Sequence, residues 1–220
     1  TISGGAGIDL DGTIGFGTAI GNDVFLTSAD GTIDMGGAIT ADNDIAATAE
    51  ESVLAAANIT IRAAADGTDA GDITFTADSN TDGDGVVNLA AGSVLEAENI
   101  TLVGLNVIAD TLTADIANAD GLGAGDITVT AANNATFNNA VTAGLTVGAI
   151  TIEGIQGDVV TGALGTLTAG GNVTVTSGDD MTFGAAVESM NQGIIVTAGG
   201  DVETLAGATF TALDGLNGGA

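Results

Sequence analysis

Residues 125–131, Gly-Asp-Ile-Thr-Val-Thr-Ala, join a turn-forming pair to a run in which apolar and polar side chains alternate. Successive side chains of an extended chain face opposite ways. Ile127 and Val129 therefore lie on one side of the run, and Thr128 and Thr130 lie on the other. A period of two predicts a half-buried β-strand, and the Gly-Asp pair before it tolerates the tight backbone of a corner.

The same unit recurs along the chain at intervals that are typical of a stacked repeat. Clear copies begin at Asp72 and Asn172, and looser copies begin at residues 23, 58, 99, 149 and 193. From Ile73 onward, the first apolar residues of successive units are 21 to 27 positions apart, which is typical of one solenoid turn. Three pairs share an offset of 46, or two turns of 23: Ile127 and Val173, Phe137 and Phe183, and Val141 and Val187.

These repeats predict an all-β fold, because a single unit cannot bury its apolar side unless it stacks on its neighbours. Stacked strands lie about 4.8 Å apart and would place Ile on Ile and Phe on Phe. The absence of proline fits, since proline removes a donor from a strand ladder. We therefore predict a parallel β-helix of 21–27 residues per coil, with about nine coils in a rod of about 40 Å.

The N-terminal quarter of the chain is less repetitive than the remainder. We expect residues 1–57 to form irregular N-terminal coils or a cap of the same solenoid, and residues 58–220 to form the repeat solenoid, all within one continuous domain. The alanine-rich segment Ile45–Leu54 is the best candidate for a helix, although a loop or turn fits equally. A gap of only 14 residues between Ile59 and Ile73 leaves an antiparallel β-sandwich, single or in tandem, as the alternative fold.

The charge of the chain excludes several classes of partner. The net charge is −28, with 29 acidic residues against Arg62 as the single basic residue. Such a surface repels nucleic acid and anionic lipid, so we expect neither nucleic-acid binding nor membrane insertion in this segment. It attracts cations, and divalent ions would relieve the repulsion among the carboxylates. The alternative is that acidity only keeps an apolar, strand-rich chain soluble.

The repeats at residues 71–78, 125–131 and 171–177 resemble the strand repeats of large bacterial surface proteins of the filamentous-haemagglutinin type. The resemblance covers about residues 58 to 210. It implies an exported, long, right-handed β-helix used for adhesion or surface structure, and hence an extracellular or cell-surface location. The chain begins at Thr1 without a signal peptide, which we interpret as a mature chain or a segment of a longer one.

The best candidate for a metal site is the acidic segment that follows the clear repeat beginning at Asp72. Asp78, Asn80, Asp82 and Asp84 offer oxygen ligands at alternate positions, with Gly83 at the sixth, as in the first half of a calcium loop. Leu89 stands where the closing acid of such a loop would be. We predict possible Ca²⁺ binding here, with a solvated Asp-Gly turn as the alternative. Other acidic pairs are interpreted as turns: Asp9/Asp11, Asp42/Asp44, Asp66/Asp69 and Asp179/Asp180.

Two further patterns are open to a structural and a functional interpretation. Thr-x-Thr pairs at 74/76, 128/130 and 174/176 are similar to the Thr ladders of some ice-binding proteins. Arg62, Val103 and Glu153 interrupt the pattern, so ordinary β-branched surface packing explains these threonines better. Sequons permit glycosylation, but asparagine is also favoured at corners. They begin at Asn58, Asn99, Asn134 and Asn172.

Catalysis and cofactor chemistry have little support in this sequence. The chain contains no His, Cys, Tyr, Trp or Lys, and no residues pair with Arg62 in a recognisable catalytic pattern. Paired carboxylates could in principle hydrolyse glycosides, but nothing distinguishes one pair and nothing supplies aromatic stacking for a sugar. We therefore predict that the protein is not an enzyme, with no catalytic residues and no organic cofactor.

Together these features predict an extracellular structural repeat protein that self-assembles into a fibre, sheath or surface layer. Its partner would be itself, with divalent cations screening the acidic faces. One alternative is a monomeric adhesin stalk or ligand-binding module. The other is an ice-binding solenoid.

Overall fold

The computed structural model describes residues 1–15, 23–63, 71–114 and 125–213, and within these ranges the chain forms 26 β-strands and no helix. The strands belong to three sheets, here called A, B and C. Sheet A contains β1 (Ile2–Gly4), β3 (Val24–Ser28), β6 (Ile45–Ala49), β9 (Ile73–Thr76), β12 (Ile100–Gly104), β15 (Ile127–Ala131), β18 (Ile150–Gly154), β21 (Val173–Ser177) and β24 (Ile194–Ala198).

Sheets B and C are built from the strands between those of sheet A. Sheet B contains β2 (Ile8–Leu10), β4 (Ile33–Met35), β7 (Val53–Ala55), β10 (Val86–Leu89), β13 (Asn106–Ala109), β16 (Ala135–Phe137), β19 (Val159–Thr161), β22 (Met181–Phe183) and β25 (Val202–Thr204). Sheet C contains β5 (Ile39–Thr40), β8 (Thr60–Arg62), β11 (Val94–Ala97), β14 (Thr111–Ala114), β17 (Val141–Thr142), β20 (Leu167–Ala169), β23 (Val187–Ser189) and β26 (Phe210–Ala212).

The fold is a parallel β-solenoid, as the sequence predicts, and it has about 8 turns where about nine were expected. Each turn visits sheets A, B and C in that order, and each strand pairs in parallel with the equivalent strand of the next turn. The antiparallel sandwich is therefore wrong. The 46-residue offsets are two turns: Ile127 pairs with Ile150, and Ile150 pairs with Val173.

The 14-residue gap between Ile59 and Ile73 does not separate equivalent strands of two successive turns. Ile73 pairs with Ile45 of the preceding turn, and the looser copy at residue 58 lies in β8 of sheet C. Equivalent corner residues are 28 positions apart between Asp44 and Asp72, and 21 apart between Asn172 and Gly193. Turn length along sheet A therefore varies while the strand register is kept, and its longest turn exceeds the predicted range by one residue. The deviation is larger in the other sheets, where Val53 and Val87 of sheet B are 34 positions apart and Val94 and Thr111 of sheet C are 17 apart.

The alanine-rich segment Ile45–Leu54 forms strands β6 and β7, not a helix. Ile45, Ala47 and Ala49 point inward and are fully buried, whereas Ala46 and Thr48 lie on the outer surface. Alanine favours helix in isolation. Here its small side chain fits the interior beside a large neighbour, because Ala47 pairs with Phe75 of the next turn. Packing between turns thus overrides the local preference.

The interior is a set of columns that run along the solenoid. Isoleucine does stack on isoleucine through five successive turns of sheet A, at positions 45, 73, 100, 127 and 150. Phenylalanine does not stack on phenylalanine within a column of sheet B, although Phe183 packs edge-to-face against Phe210 of sheet C with ring centroids 5.0 Å apart. Thr161 separates Phe137 from Phe183, because a column of fixed spacing accommodates large side chains better when small ones alternate with them.

Strands β1 to β7 lie in the same three sheets as the later strands. The division of the chain at residues 57 and 58 stays a prediction. In the described ranges no helix is long and apolar enough to cross a membrane.

Candidate functional site

The acidic segment forms a loop at the corner between β9 in sheet A and β10 in sheet B. Two of its residues have left-handed backbones, Asp78 at a φ of 58° and Thr81 at a φ of 60°. The Thr81 N–H donates to the Asp78 carbonyl oxygen at 3.0 Å, and the Asp78 N–H donates to the Glu51 carbonyl oxygen at 3.0 Å. The loop is thus turned back on itself and attached to the preceding coil.

This geometry gathers three of the four predicted ligands. Carboxylate oxygens of Asp78, Asp82 and Asp84 lie within 4.8 Å of one another. Asp78 is half-buried and the other two are exposed. Such a cluster of hard oxygen donors could hold a divalent cation.

Asn80 is engaged in hydrogen bonds that position the loop. Its Nδ2 donates to Asp82 Oδ2 at 2.8 Å and to Glu50 Oε1 at 2.6 Å. Its Oδ1 accepts from the Asp82 backbone N–H at 3.3 Å. Glu50 belongs to the preceding coil and was not predicted, because the sequence separation of 30 residues hides the contact. Leu89 is buried in β10, so it leaves the loop without a twelfth-position ligand.

Two exposed carboxyl groups of this loop differ in acidity. The hydrogen bond from the Asn80 side chain lowers the pKa of Asp82, and a hydrogen bond with Asp84 lowers it further. The pKa of Asp84 is raised, first by its hydrogen bond with Asp82 and then by the negative charge of Asp82. As pH rises, Asp84 therefore keeps its proton longer than Asp82. A bound cation would oppose this, because it favours the ionised form of both groups.

A second acidic cluster spans two coils. Carboxylate oxygens of Asp158, Asp179 and Asp180 lie within 4.8 Å of one another. The sequence indicated only the adjacent pair. Asp158 joins them from the previous turn, and its Oδ1 accepts a hydrogen bond from the Asp180 N–H at 3.1 Å. The register between turns brings Asp158 next to Asp179 and Asp180. The adjacent pair alone does not reveal this contact.

Corner residues form a hydrogen-bonded ladder before the strands of sheet A, here called the A ladder. In each step a side-chain Oδ1 accepts from the backbone N–H of the equivalent residue one turn later. The donors and acceptors are Asp72 to Asp44 (2.9 Å), Asn99 to Asp72 (3.2 Å), Asp126 to Asn99 (2.9 Å) and Ala149 to Asp126 (2.8 Å). The ladder satisfies backbone donors that the strand pairing leaves over at the corner.

A matching B ladder precedes the strands of sheet B. Its members are Asn106, Asn134, Asp158, Asp180 and Asp201, joined by bonds of 2.8 to 3.2 Å. Many acidic residues thus have a structural role at corners, which agrees with interpreting Asp44 and Asp180 as turn residues. Asp9 lies on the outer side of β2 and Asp11 follows that strand. Asp66 and Asp69 lie outside the described residues.

Three of the four sequon asparagines also lie at these corners. Asn99 and Asn134 belong to the A and B ladders, and Asn172 Oδ1 accepts from the Gly193 N–H at 3.0 Å. The Asn99 Nδ2, which a glycan would occupy, donates to Asp72 Oδ1 at 2.8 Å. Asn58 is exposed, with a φ of 59°. The corner interpretation therefore accounts for the asparagines of three sequons without glycosylation.

The outward side of sheet A is the most regular surface of the solenoid. We call it the Thr face. Its first column contains, in successive turns, Phe25, Ala46, Thr74, Thr101, Thr128, Thr151, Thr174 and Ile195. Its second column contains Thr27, Thr48, Thr76, Val103, Thr130, Glu153, Thr176 and Thr197.

The register changes how the threonine pattern is interpreted. Arg62 lies in β8 of sheet C, so it does not interrupt the Thr face. Five threonines, from Thr74 to Thr174, follow one another without a break in the first column. Val103 and Glu153 do interrupt the second column, as the sequence predicts.

No family model, curated protein sequence or solved structure matches this chain. The class that the geometry defines is the parallel β-solenoid.

Proposed function

We propose that this chain is an extracellular structural protein that self-assembles end to end into a fibre, sheath or surface layer. The observation that carries the proposal is the unbroken parallel pairing of each sheet from turn to turn among the described residues, which a further turn can extend. Strands β24, β25 and β26 are the last of their sheets among the described residues, and each pairs on one edge. Inward-facing residues of this last turn are partly exposed, with Val202 at 52% and Phe210 at 42%.

The opposite end of the solenoid offers a complementary surface. Strands β1 and β2 begin sheets A and B, and Ile2 is 41% exposed although its column is buried one turn later at Leu26. A second copy placed in register would continue both the strand pairing and the apolar columns. Open strand edges favour this kind of addition, because main-chain hydrogen bonds and apolar burial act together.

The resemblance to filamentous-haemagglutinin-type repeats supports an exported bacterial surface protein, and with it the cell-surface location. The role requires no catalysis, nucleic acid or membrane insertion, in keeping with the acidic, His-free sequence. The acidic clusters at Asp78 and Asp158 support a contribution from divalent cations. Ca²⁺ at these corners would lower the repulsion between copies that each have a net charge of −28.

Electron microscopy of the purified chain in Ca²⁺ and in chelator tests the proposal. Ordered filaments or sheets are expected in Ca²⁺, and their loosening in chelator would assign the acidic loops a bridging role. Assemblies indifferent to chelator would remove ions from the mechanism. Isolated short rods under both conditions would contradict self-assembly and favour the monomeric adhesin stalk.

A proline substitution isolates the role of the terminal edge. The Val173 N–H donates to the Gly193 carbonyl oxygen in the next turn, and the Gly199 N–H donates to the Ser177 carbonyl oxygen in the preceding turn. Along each strand, the backbone N–H groups therefore point alternately toward the next turn and toward the preceding one. By this alternation the Val196 N–H points to the free edge of β24, where proline is tolerated in the fold. Val196→Pro should keep the circular dichroism of the solenoid and abolish filaments. Val196→Thr, which is also β-branched and retains the N–H, is the matched control and should still form filaments.

A further inference from the structure

The Thr face is nearly uncharged, although the chain as a whole has a net charge of −28. Glu153 is the one charged side chain in its two columns as the described strands define them. The outward sides of the other sheets contain more charge: Asp9, Asp34 and Glu203 on sheet B, and Arg62, Glu96 and Glu188 on sheet C. The carboxylates of the A ladder, Asp44, Asp72 and Asp126, lie at the border of the Thr face, at the corner before the strands. Two copies can therefore approach through the two columns themselves with little repulsion.

We propose that two copies of this chain pair through the Thr face, face to face and with their long axes antiparallel. The inference rests on the self-assembly proposed above and names the surface that joins neighbouring rods laterally. The interface is isologous, with a twofold axis parallel to the strands, so that each column faces its own copy in reverse order.

The order of side chains in the first column is self-complementary under this symmetry. Phe25 and Ile195, which are 39% and 53% exposed, end the column and come opposite each other. The threonines between them come opposite threonines over most of the length, with Thr101 facing Thr128 at the centre. Apolar groups thus meet at both ends, and Thr methyl and hydroxyl groups meet in the middle.

The second column places its single charge without a clash. Glu153 comes opposite Thr76 of the second copy, so the two Glu153 carboxylates stay apart. A cost remains, because the carboxylate loses water at the interface. The pairing is therefore expected to strengthen when Glu153 is neutralised.

The area of the face is sufficient for a weak, specific dimer. Nine strands at about 4.8 Å and five residues at about 3.3 Å give a surface of about 38 by 16 Å. Pairing would bury about 600 Å² per copy, or about 1,200 Å² in total, which is the lower end for stable interfaces. We expect a concentration-dependent dimer, since the interface lacks a large aromatic centre.

Cysteine cross-linking tests the antiparallel arrangement directly, because the chain contains no cysteine. Phe25→Cys and Ile195→Cys are prepared as separate variants. A mixture of the two should give disulfide-linked heterodimers under mild oxidation, whereas each variant alone should give far less. Equal yields from either variant alone, or no cross-linked product in the mixture, would overturn the arrangement.

Sedimentation velocity tests the face itself. Thr128→Glu places a carboxylate at the centre of the interface in both copies and should weaken dimerisation at least tenfold. Thr136→Glu adds the same charge to the outward side of sheet B and should leave dimerisation within about twofold. Glu153→Gln should strengthen it. Equal weakening by both glutamate variants would mean that net charge, not this face, controls association.

Two controls distinguish lateral pairing through the Thr face from end-to-end assembly and from ice binding. The edge variant Val196→Pro should still dimerise while forming no filaments, so lateral pairing and end-to-end assembly can fail independently. If the wild type is a monomer that shows thermal hysteresis, and Thr128→Glu abolishes that hysteresis, the Thr face binds ice and not a second copy. This result would overturn the pairing. A wild type that is monomeric at all concentrations and shows no hysteresis would overturn it as well.

Discussion

Asp82 and Asp84 show how neighbouring groups can separate the acidity of two chemically identical side chains. The Asn80 amide stabilises the ionised form of Asp82, whereas the hydrogen bond and charge of Asp82 stabilise the protonated form of Asp84. Asp82 has a lowered pKa, so its contribution to stability is present above the ordinary value and lost as pH falls through the lowered one. Asp84 has a raised pKa, so its contribution is present at low pH and lost as pH rises through the raised value.

Titration of the carboxyl carbons by NMR should therefore separate the two aspartates. We expect Asp84 to take up its proton at a higher pH than Asp82. Asn80→Ala removes the amide donor and should raise the pKa of Asp82. Saturating Ca²⁺ should lower both values if the loop binds the ion. Coincident titration of the two groups in the wild type would contradict the hydrogen-bonded pair.

The A ladder predicts an effect of a single corner residue on the next turn. Asn99→Ala leaves the Asp126 N–H without its acceptor and removes the Nδ2 bond to Asp72. We expect a loss of about 0.5–1.5 kcal/mol, the net range for one hydrogen bond, because Asp126 is exposed and water can replace the lost acceptor. Amide hydrogen exchange should show it as faster exchange at Asp126. Asn99→Asp keeps the acceptor and is the comparison; exchange at Asp126 as fast as in Asn99→Ala would show that the acceptor is not what protects it.

At the scale of strands, the alternation of large and small side chains makes Phe137 a sensitive position. Phe137→Ala leaves a cavity next to Thr161 that neighbouring strands cannot fill, at a cost of about 3–5 kcal/mol. Phe25→Ala is the matched control, since Phe25 lies outside the core, and should cost far less. Urea midpoints measure both. Similar midpoints would mean that the columns are loosely packed.

Strand periodicity was predictable from the sequence, whereas the register between turns was only partly so. Alternation at Ile127 and Val129 is local and identifies a strand directly. Alternation does not say which sheet a strand joins. The unit that begins at Asn58 therefore resembles the repeats of sheet A in sequence, although its strand β8 lies in sheet C. The Ile45 strand is hard to recognise because two of its three inward residues are alanine, and the contact of Asp158 with Asp180 requires the turn length between them.

For the whole molecule, the high negative charge makes stability dependent on ions. Added NaCl should raise the unfolding midpoint, because screening weakens repulsion among the carboxylates. Specific Ca²⁺ binding would add to this at equal ionic strength, by about 2.7 kcal/mol at a concentration 100 times the dissociation constant. Asp82→Asn with Asp84→Asn should remove the calcium-specific part that this loop contributes, leaving only that of the Asp158 cluster. An equal response to NaCl and CaCl₂ at matched ionic strength would restrict the effect to screening.

The direction of the strand pairing has a mechanical consequence. Hydrogen bonds between turns run along the rod, so tension applied at its two ends would peel turns away one at a time. Each turn of 21 to 28 residues would release about 70 to 100 Å of extended chain in place of a rise of about 4.8 Å. Pulling a single rod in an optical trap should therefore give a staircase of extensions of this size, as expected of a tether that lengthens before it breaks.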